Sequence, residues 1–188
     1  MTAKEQMSRF LALLFPEGVI EIRTLGQYPK RVMEEDVNQL ISHAMEMDQN
    51  GLDVYFGVLS RDRVGHVVGS VRYVWADLDD KIHGREAVLL AAGRTADILV
   101  DSGNGIHAYW KLTRPIELTE ENRRVVRNCL RVFQQKILPG CDNTSDLARL
   151  LRLPGTRNHK DAESPKGVRL LYVRGEYVDE SVAPYVSA

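Results

Sequence analysis

Asp77 and Asp79 stand two residues apart in Trp75-Ala76-Asp77-Leu78-Asp79-Asp80. A strand through that stretch sends both carboxylates out of one face, while Val74, Ala76 and Leu78 point to the other. Carboxylates held that close repel unless a cation lies between them, and Mg2+ or Mn2+ prefers such oxygen ligands. Taken alone, the pair is better read as a strand end running into a solvated acidic turn. Two further stretches shift the balance towards phosphate chemistry. In Ser102-Gly103-Asn104-Gly105-Ile106-His107, the glycines let the backbone approach a ligand, and successive N–H groups can form an anion-binding nest. His107, just beyond the turn on a predicted strand, shares its face with Tyr109 and Lys111 and could donate to a phosphate; an ordinary hairpin with a surface histidine is the alternative.

The third stretch runs from Asp142 to Lys160 and gathers acids, hydroxyls, arginines, an Asn and a Lys around a predicted short helix and a Pro154-Gly155 turn. The helix is expected to begin at Asp146, with Arg149 and Arg152 following at three-residue steps. Asp146 could join Asp77 and Asp79 at a metal or could stabilise its own helix end. Arg152 through its fork and Lys160 as a point charge suit triphosphate oxygens. Asn158 is expected to tie down the Pro154-Gly155-Thr156 turn, and Arg149 to pair with Asp146. No Ser or Cys nucleophile is required, so Ser102 is cast as a phosphate or turn ligand.

The elements that must position these groups follow from periodicity. Leu11, Leu14 and Phe15 give a first helix its apolar side, ended by Pro16-Glu17-Gly18. Val19 to Arg23 alternates as a strand. A second helix is expected to start at Glu34-Glu35-Asp36, with Val37, Leu40, Ile41, Ala44 and Met45 as its stripe. Val54 to Leu59 and Val68 to Leu78 read as strands, Arg85 to Ala92 as a helix, and Ile98 to Val100 and Ile106 to Leu112 as strands flanking the glycine turn. The longest helix is expected over Thr119 to Ile137, with Val126, Cys129, Leu130, Phe133 and Ile137 buried. Val168 to Val173 closes the pattern as a strand, followed by a short loose tail. Strands and helices interleave with hairpins, which predicts an α/β or α+β arrangement rather than an all-parallel sheet.

The chain has 188 residues, 44% of them hydrophobic and 27% charged, enough for one domain with a real core. Cys129 and Cys141 are the only cysteines and form no CxxC pair, which argues against a disulfide framework or a cysteine-held structural zinc. The opening residues resemble neither a signal peptide nor a membrane span, so a cytoplasmic protein with no membrane partner is expected. The overall charge of -1 divides into -5 over residues 1–110 and +4 over residues 111–188. The later part could therefore face a polyanion, with Arg123, Arg124, Arg127 and Arg131 as candidate template contacts or simply as a solvated helix face.

In order, the Asp77/Asp79 pair, the Ser102-Gly103-x-Gly105-x-His107 hairpin, and an acid followed by Arg152-Leu153-Pro154-Gly155-Thr156-x-Asn158-x-Lys160 resemble the motifs of the archaeo-eukaryotic-type primase superfamily, in its plasmid and phage primase-polymerase branch. The resemblance spans about residues 52 to 160. It implies an RNA-recognition-like mixed or antiparallel sheet packed with helices (about 61–175) joined to a smaller N-terminal α/β module (about 1–60). It also implies that Asp77, Asp79 and a third acid hold two Mg2+ or Mn2+ ions, and that His107 contacts the incoming nucleotide's phosphates. Asp142 and Asp146 both qualify as the third acid; Asp146 is preferred because it heads the expected Arg149/Arg152 helix directly. Ser102, Gly103, Gly105, His107, Arg152, Asn158 and Lys160 would surround a nucleoside triphosphate, to be joined to a 3′-hydroxyl on a single-stranded DNA template. No appended helicase, zinc stem or helical primer-binding domain is recognisable, so the chain is expected to be either a catalytic core from a longer protein or a minimal enzyme working with a separate helicase or primer-binding partner. A metal-dependent single-strand nuclease and a non-catalytic nucleic-acid-binding module are the rival readings.

Overall fold

Thr2 and Glu5 close a capping box, and Met7, Phe10, Leu11 and Leu14 bury one side of the helix it starts, α1 (Ala3–Leu14). A computed structural model describes residues 1–26 and 29–186. Strands β1 (Ile20–Arg23) and β2 (Arg31–Glu34) lead to α2 (Val37–Gln49) and β3 (Tyr55–Gly57). The expected start of α2 at Glu34 is corrected by its cap: the Asp36 carboxylate accepts the amides of Asn38 and Gln39, so Glu34 is left in β2. Next come β4 (Ser70–Asp79), α3 (Asp80–His83), α4 (Arg85–Gly93), β5 (Ile98–Asp101), β6 (Gly105–Glu117) and α5 (Arg123–Ile137). Short strands follow: β7 (Leu150–Arg152), β8 (Arg157–Asn158), β9 (Lys166–Gly167), β10 (Arg169–Val173) and β11 (Glu176–Tyr177), then a 3-10 turn at Glu180–Tyr185. Among the described residues, no helix is long and apolar enough to cross a membrane.

The strands form a four-stranded sheet in the order β2-β1-β3-β7, a five-stranded sheet in the order β11-β10-β5-β6-β4, and the β8-β9 ribbon. Every ladder is antiparallel, so the expected antiparallel sheet packed with helices is present and the fold is α+β. The smaller sheet is not built from the N-terminal residues alone, because β7 returns from far along the chain to pair with β3.

Both faces of the larger sheet are buried. Trp75, Tyr109, Val100 and Leu170 look towards the smaller sheet and α1, where Tyr109 and Phe56 pack edge-on against Phe10. Ala76, Leu78, Ala108 and Leu171 look the other way, into a second cluster with α4. The His107/Tyr109 face of β6 is therefore an interior face and not the polar surface expected. Helix α5 covers the outer edge of β4, and the buried Gln134 amide donates to the Trp75 carbonyl at 2.9 Å.

Three further expectations are corrected. Cys129 is exposed, because Val126, Leu130 and Gln134 define the buried side of α5 and Cys129 is rotated off it. Helix α5 starts at Arg123, with Thr119 bracing the turn before it by accepting the Asn122 amide. The residues after Val173 are not a loose tail, since Val182 and Val186 are buried against the second cluster; of this segment, residues 187–188 lie outside the described residues.

Candidate active site

The large sheet pairs Asp77 with His107 and Asp79 with Gly105, which places both carboxylates and the imidazole on one face at the end of the β4–β6 ladder. That face opens into a cleft of about 230 Å3, closed opposite by Tyr55 of β3 and Leu150 and Arg152 of β7, with Asp142, Asn158 and Lys160 at its edges. A second cleft of about 280 Å3 lies beyond Trp75 and Tyr109; of its two acids Glu17 is paired with Arg72, its buried Arg61 is paired with Glu21, and no histidine lines it. The convergence of titratable groups is in the smaller cleft.

His107 is 3% exposed. Its Nε2 lies 3.5 Å from Asp77 Oδ1, and its Nδ1 is buried without a partner. Burial pushes the imidazole pKa below its ordinary value; Asp77 and Asp101 pull it up and Arg152 pushes it further down. The ring is therefore neutral near pH 7. Asp79 has a second duty, because its carboxylate accepts the Lys81 amide at 2.7 Å and caps α3.

The structure brings Asp142 into the cleft and leaves Asp146 outside it. No helix forms at Asp146. Thr144 and Ser145 are buried instead, with the Thr144 carbonyl accepting Trp75 Nε1 at 2.8 Å and its amide donating to Gln134. These long-range bonds hold the segment extended. Asp146 is exposed and paired with Arg149 at 2.7 Å, as expected of Arg149.

The glycine turn is locked by its neighbours. The Ser102 hydroxyl donates to the Gly105 carbonyl at 3.0 Å, and the Asn158 amide donates to the Ser102 carbonyl at 2.9 Å. Asn158 thus ties down this turn rather than the Pro154-Gly155-Thr156 turn expected for it, and its Oδ1 accepts the Lys160 amide at 3.1 Å. Gly103 has φ +88°, a conformation that favours glycine, and its N–H is already donated to Asp101. A Cβ on Gly105 would sit 2.3 Å from the Leu78 carbonyl oxygen. Close approach of two strands, rather than of a ligand, accounts for that glycine.

Arg152 is held by Asp53, which takes both of its terminal nitrogens and also the His159 amide at 2.6 Å. Its guanidinium lies 4.8 Å over the Tyr55 ring. Burial raises the Asp53 pKa, but Arg152 and the His159 amide outweigh it and hold the carboxyl below its usual range. Lys160 makes no ion pair among the described residues. Asp53, Tyr55 and Asp101 escaped the sequence reading. Asp101 joins Arg85, Arg169 and the Gly103 amide beneath the turn, and no spacing rule links residues so far apart. Of the four arginines expected to meet a template, Arg123 is tied to Glu120 and the Val67 carbonyl. Arg124, Arg127 and Arg131 are exposed and make no ion pair among the described residues.

No three His, Cys, Asp or Glu side chains among the described residues form a ready metal cage. The carboxylates of Asp77 and Asp79 on one strand face are of the donor type that a hard divalent ion such as Mg2+ takes, and such an ion keeps waters and completes its shell with phosphate oxygens rather than an all-protein cage.

No family model and no curated protein matches the chain. Solved structures do. The AEP domain of the cyanophage S-2L primase-polymerase superposes with a TM-score of 0.66 at 15% identity, over 98% of each chain. The catalytic domain of primase RepB′ in complex with initiator DNA gives 0.62 at 17% identity, over 97% of this chain and 91% of that one. A longer structure of primase RepB′ gives 0.62 at 16% identity, with 96% of this chain covering 60% of that one. The chain thus has the fold of the archaeo-eukaryotic-type primases of phages and plasmids, as its three motifs implied.

Proposed function

We propose that this chain is a nucleotidyltransferase, a primase or DNA polymerase that joins nucleoside triphosphates to a 3′-hydroxyl on a single-stranded DNA template. One observation carries the reading: Asp77 and Asp79 enter the cleft from one strand face, and Asp142, Arg152 and Lys160 line the same cleft. Acids and cations in one small cleft suit a substrate bearing its own anionic chain together with counter-ions. Phosphoryl transfer needs positioning and charge stabilisation more than a covalent nucleophile. Asp77, Asp79 and Asp142 would hold Mg2+ or Mn2+, which when bound supplies acidity to the attacking hydroxyl and neutralises triphosphate charge.

Arg152 comes preset, because Asp53 fixes its terminal nitrogens and Tyr55 supports its plane. Lys160 lines the cleft and has no ion-pair partner among the described residues. Neutral His107 lines the cleft with its Nε2 3.5 Å from Asp77 Oδ1, and its buried Nδ1, like Nε2 of His83, has no partner among the described residues. Ser102 and Asn158 hold the turn that shapes the floor.

The test is incorporation of labelled nucleotides on a primed single-stranded template with Mn2+, in wild type and in Asp77→Asn plus Asp79→Asn. Wild-type extension abolished in the double variant supports the reading. A wild type that binds no nucleotide but cuts single strands in a metal-dependent way replaces it with nuclease chemistry.

A further inference from the structure

Antiparallel register places residues of neighbouring strands side by side on one sheet face. In the smaller sheet Arg31 pairs with Arg23, Arg23 with Tyr55, and Tyr55 with Arg152. These four side chains therefore form one row across all four strands, on the face whose Tyr55 and Arg152 line the cleft. At roughly 4.8 Å per strand the row spans about 14 Å.

Its charge is not balanced from within. Arg23, Arg31 and the buried Arg61 all converge on the single carboxylate of Glu21, at 2.5, 2.7 and 2.6 Å. Gly57 leaves room for this cluster, since a Cβ there would meet Arg61 Nη2 at 2.5 Å. Three guanidiniums and one carboxylate leave surplus positive charge. Arg61 is 2% exposed while Arg23 and Arg31 are 34% and 37% exposed, so the surplus reaches solvent on the row. Two arginines directly opposite each other are unfavourable for the sheet alone. An anion lying across them would relieve that repulsion.

We infer that a single DNA strand reaches the cleft across the smaller sheet, its phosphates on Arg31 and Arg23 and its path continuing over Tyr55 towards Arg152. The assignment rests on the nucleotidyl-transfer reading of the cleft. Cations with an interposed aromatic ring are the arrangement by which single strands are held without sequence preference. The α5 arginines are a separate basic stripe and supply the comparison.

The experiment is binding of a labelled oligodeoxythymidylate across a salt series, without nucleotide or metal. Each phosphate contact removed from a single strand lowers the slope of log K against log salt by about 0.7. Arg23→Gln plus Arg31→Gln is expected to lower the slope by about 1.4, and Arg23→Lys plus Arg31→Lys to restore most of it. If the glutamine pair fails to fold, Arg31→Gln alone is expected to show the single-contact loss. An unchanged slope in a folded glutamine variant overturns the path, and so does a fall seen only in Arg124→Gln plus Arg127→Gln plus Arg131→Gln. Weakened binding of inorganic tripolyphosphate with unaltered oligonucleotide binding also overturns it. Incorporation assays on the same preparations separate the two claims: a row-dependent slope without incorporation keeps the strand path and sinks the polymerase reading, whereas incorporation with an unchanged slope sinks only the path.

Discussion

Acidification from about pH 7.5 to about pH 5.5 is predicted to destabilise the native protein through one side chain, His107. The ring is buried and its pKa lies below the ordinary 6.5 because burial disfavours the imidazolium. The unfolded chain therefore takes up its proton at a higher pH than the native protein does, and stability is lost as pH falls through about 6.5. If the native ring stays neutral throughout, the loss reaches about 1.4 kcal/mol at pH 5.5, one pH unit below the unfolded value. For a chain of this size that is about 3–5 °C in melting temperature. Asp53 and Glu21, whose carboxyls the fold holds low, give the same sign of dependence but only below about pH 4.5, so they do not contaminate the window. The assay is a set of thermal melts of wild type and His107→Asn across the window. The variant is expected to melt lower at every pH, because it loses packing, but with a flatter dependence. Parallel curves for the two proteins would refute the argument. With nucleotide bound, phosphate oxygens at the ring would raise its pKa, and calorimetry in two buffers of different ionisation enthalpy should report proton uptake on binding.

Asp142→Asn is expected to lower incorporation by orders of magnitude and Asp146→Asn several-fold at most; the reverse ranking in a rate assay would return the third acid to Asp146. Asp79→Ala is expected to cost about 1 kcal/mol of stability, because it removes the α3 cap, whereas Asp79→Asn should keep most of that stability and still lose incorporation, which melts and rate assays on both variants would check. Asp53→Asn is expected to raise the nucleotide KM more than it lowers kcat, since Arg152 loses its anchor but not its charge; Asp53→Glu should recover part of the loss, and equal effects of both variants would argue against a positioning role. Gly105→Ala is expected to destabilise the fold by about 1–3 kcal/mol in chemical denaturation, from the contact with the Leu78 carbonyl.

The parts of the site legible in the sequence are those written in local periodicity. The two-residue spacing of Asp77 and Asp79 set their common face, and the strand beyond the glycine turn put His107 within reach. What the sequence concealed depends on contacts between distant segments. Leu147, Leu150 and Leu151 mimic a helical stripe after Asp146, yet Leu151 pairs with Phe56 across β7 and β3, and Thr144 is held by Trp75 and Gln134. Once that segment is extended, Asp142 and not Asp146 meets the cleft. The Arg31–Arg23–Tyr55–Arg152 row has no signature along the chain, because it exists only when four strands fall into register.

That dependence on register explains why the glycine turn matters more to the site than a phosphate nest would. A one-residue slip of β6 against β4 would turn His107 to the opposite face and bring a side chain against the carbonyl that Gly105 alone can approach. Asp101 and Asn158 hold the turn from two sides, one through the Gly103 amide and the other through the Ser102 carbonyl. Asn158 also fixes the Lys160 amide, so the ladder that carries the acids and the loop that carries a cation are clamped at one point. Pairing of Asp77 with His107 and of Asp79 with Gly105 is thus held by packing and hydrogen bonds within the chain itself. Under the proposed nucleotidyl transfer, a site held this way would put binding energy into charge rather than into ordering the chain, which is the condition electrostatic catalysis requires.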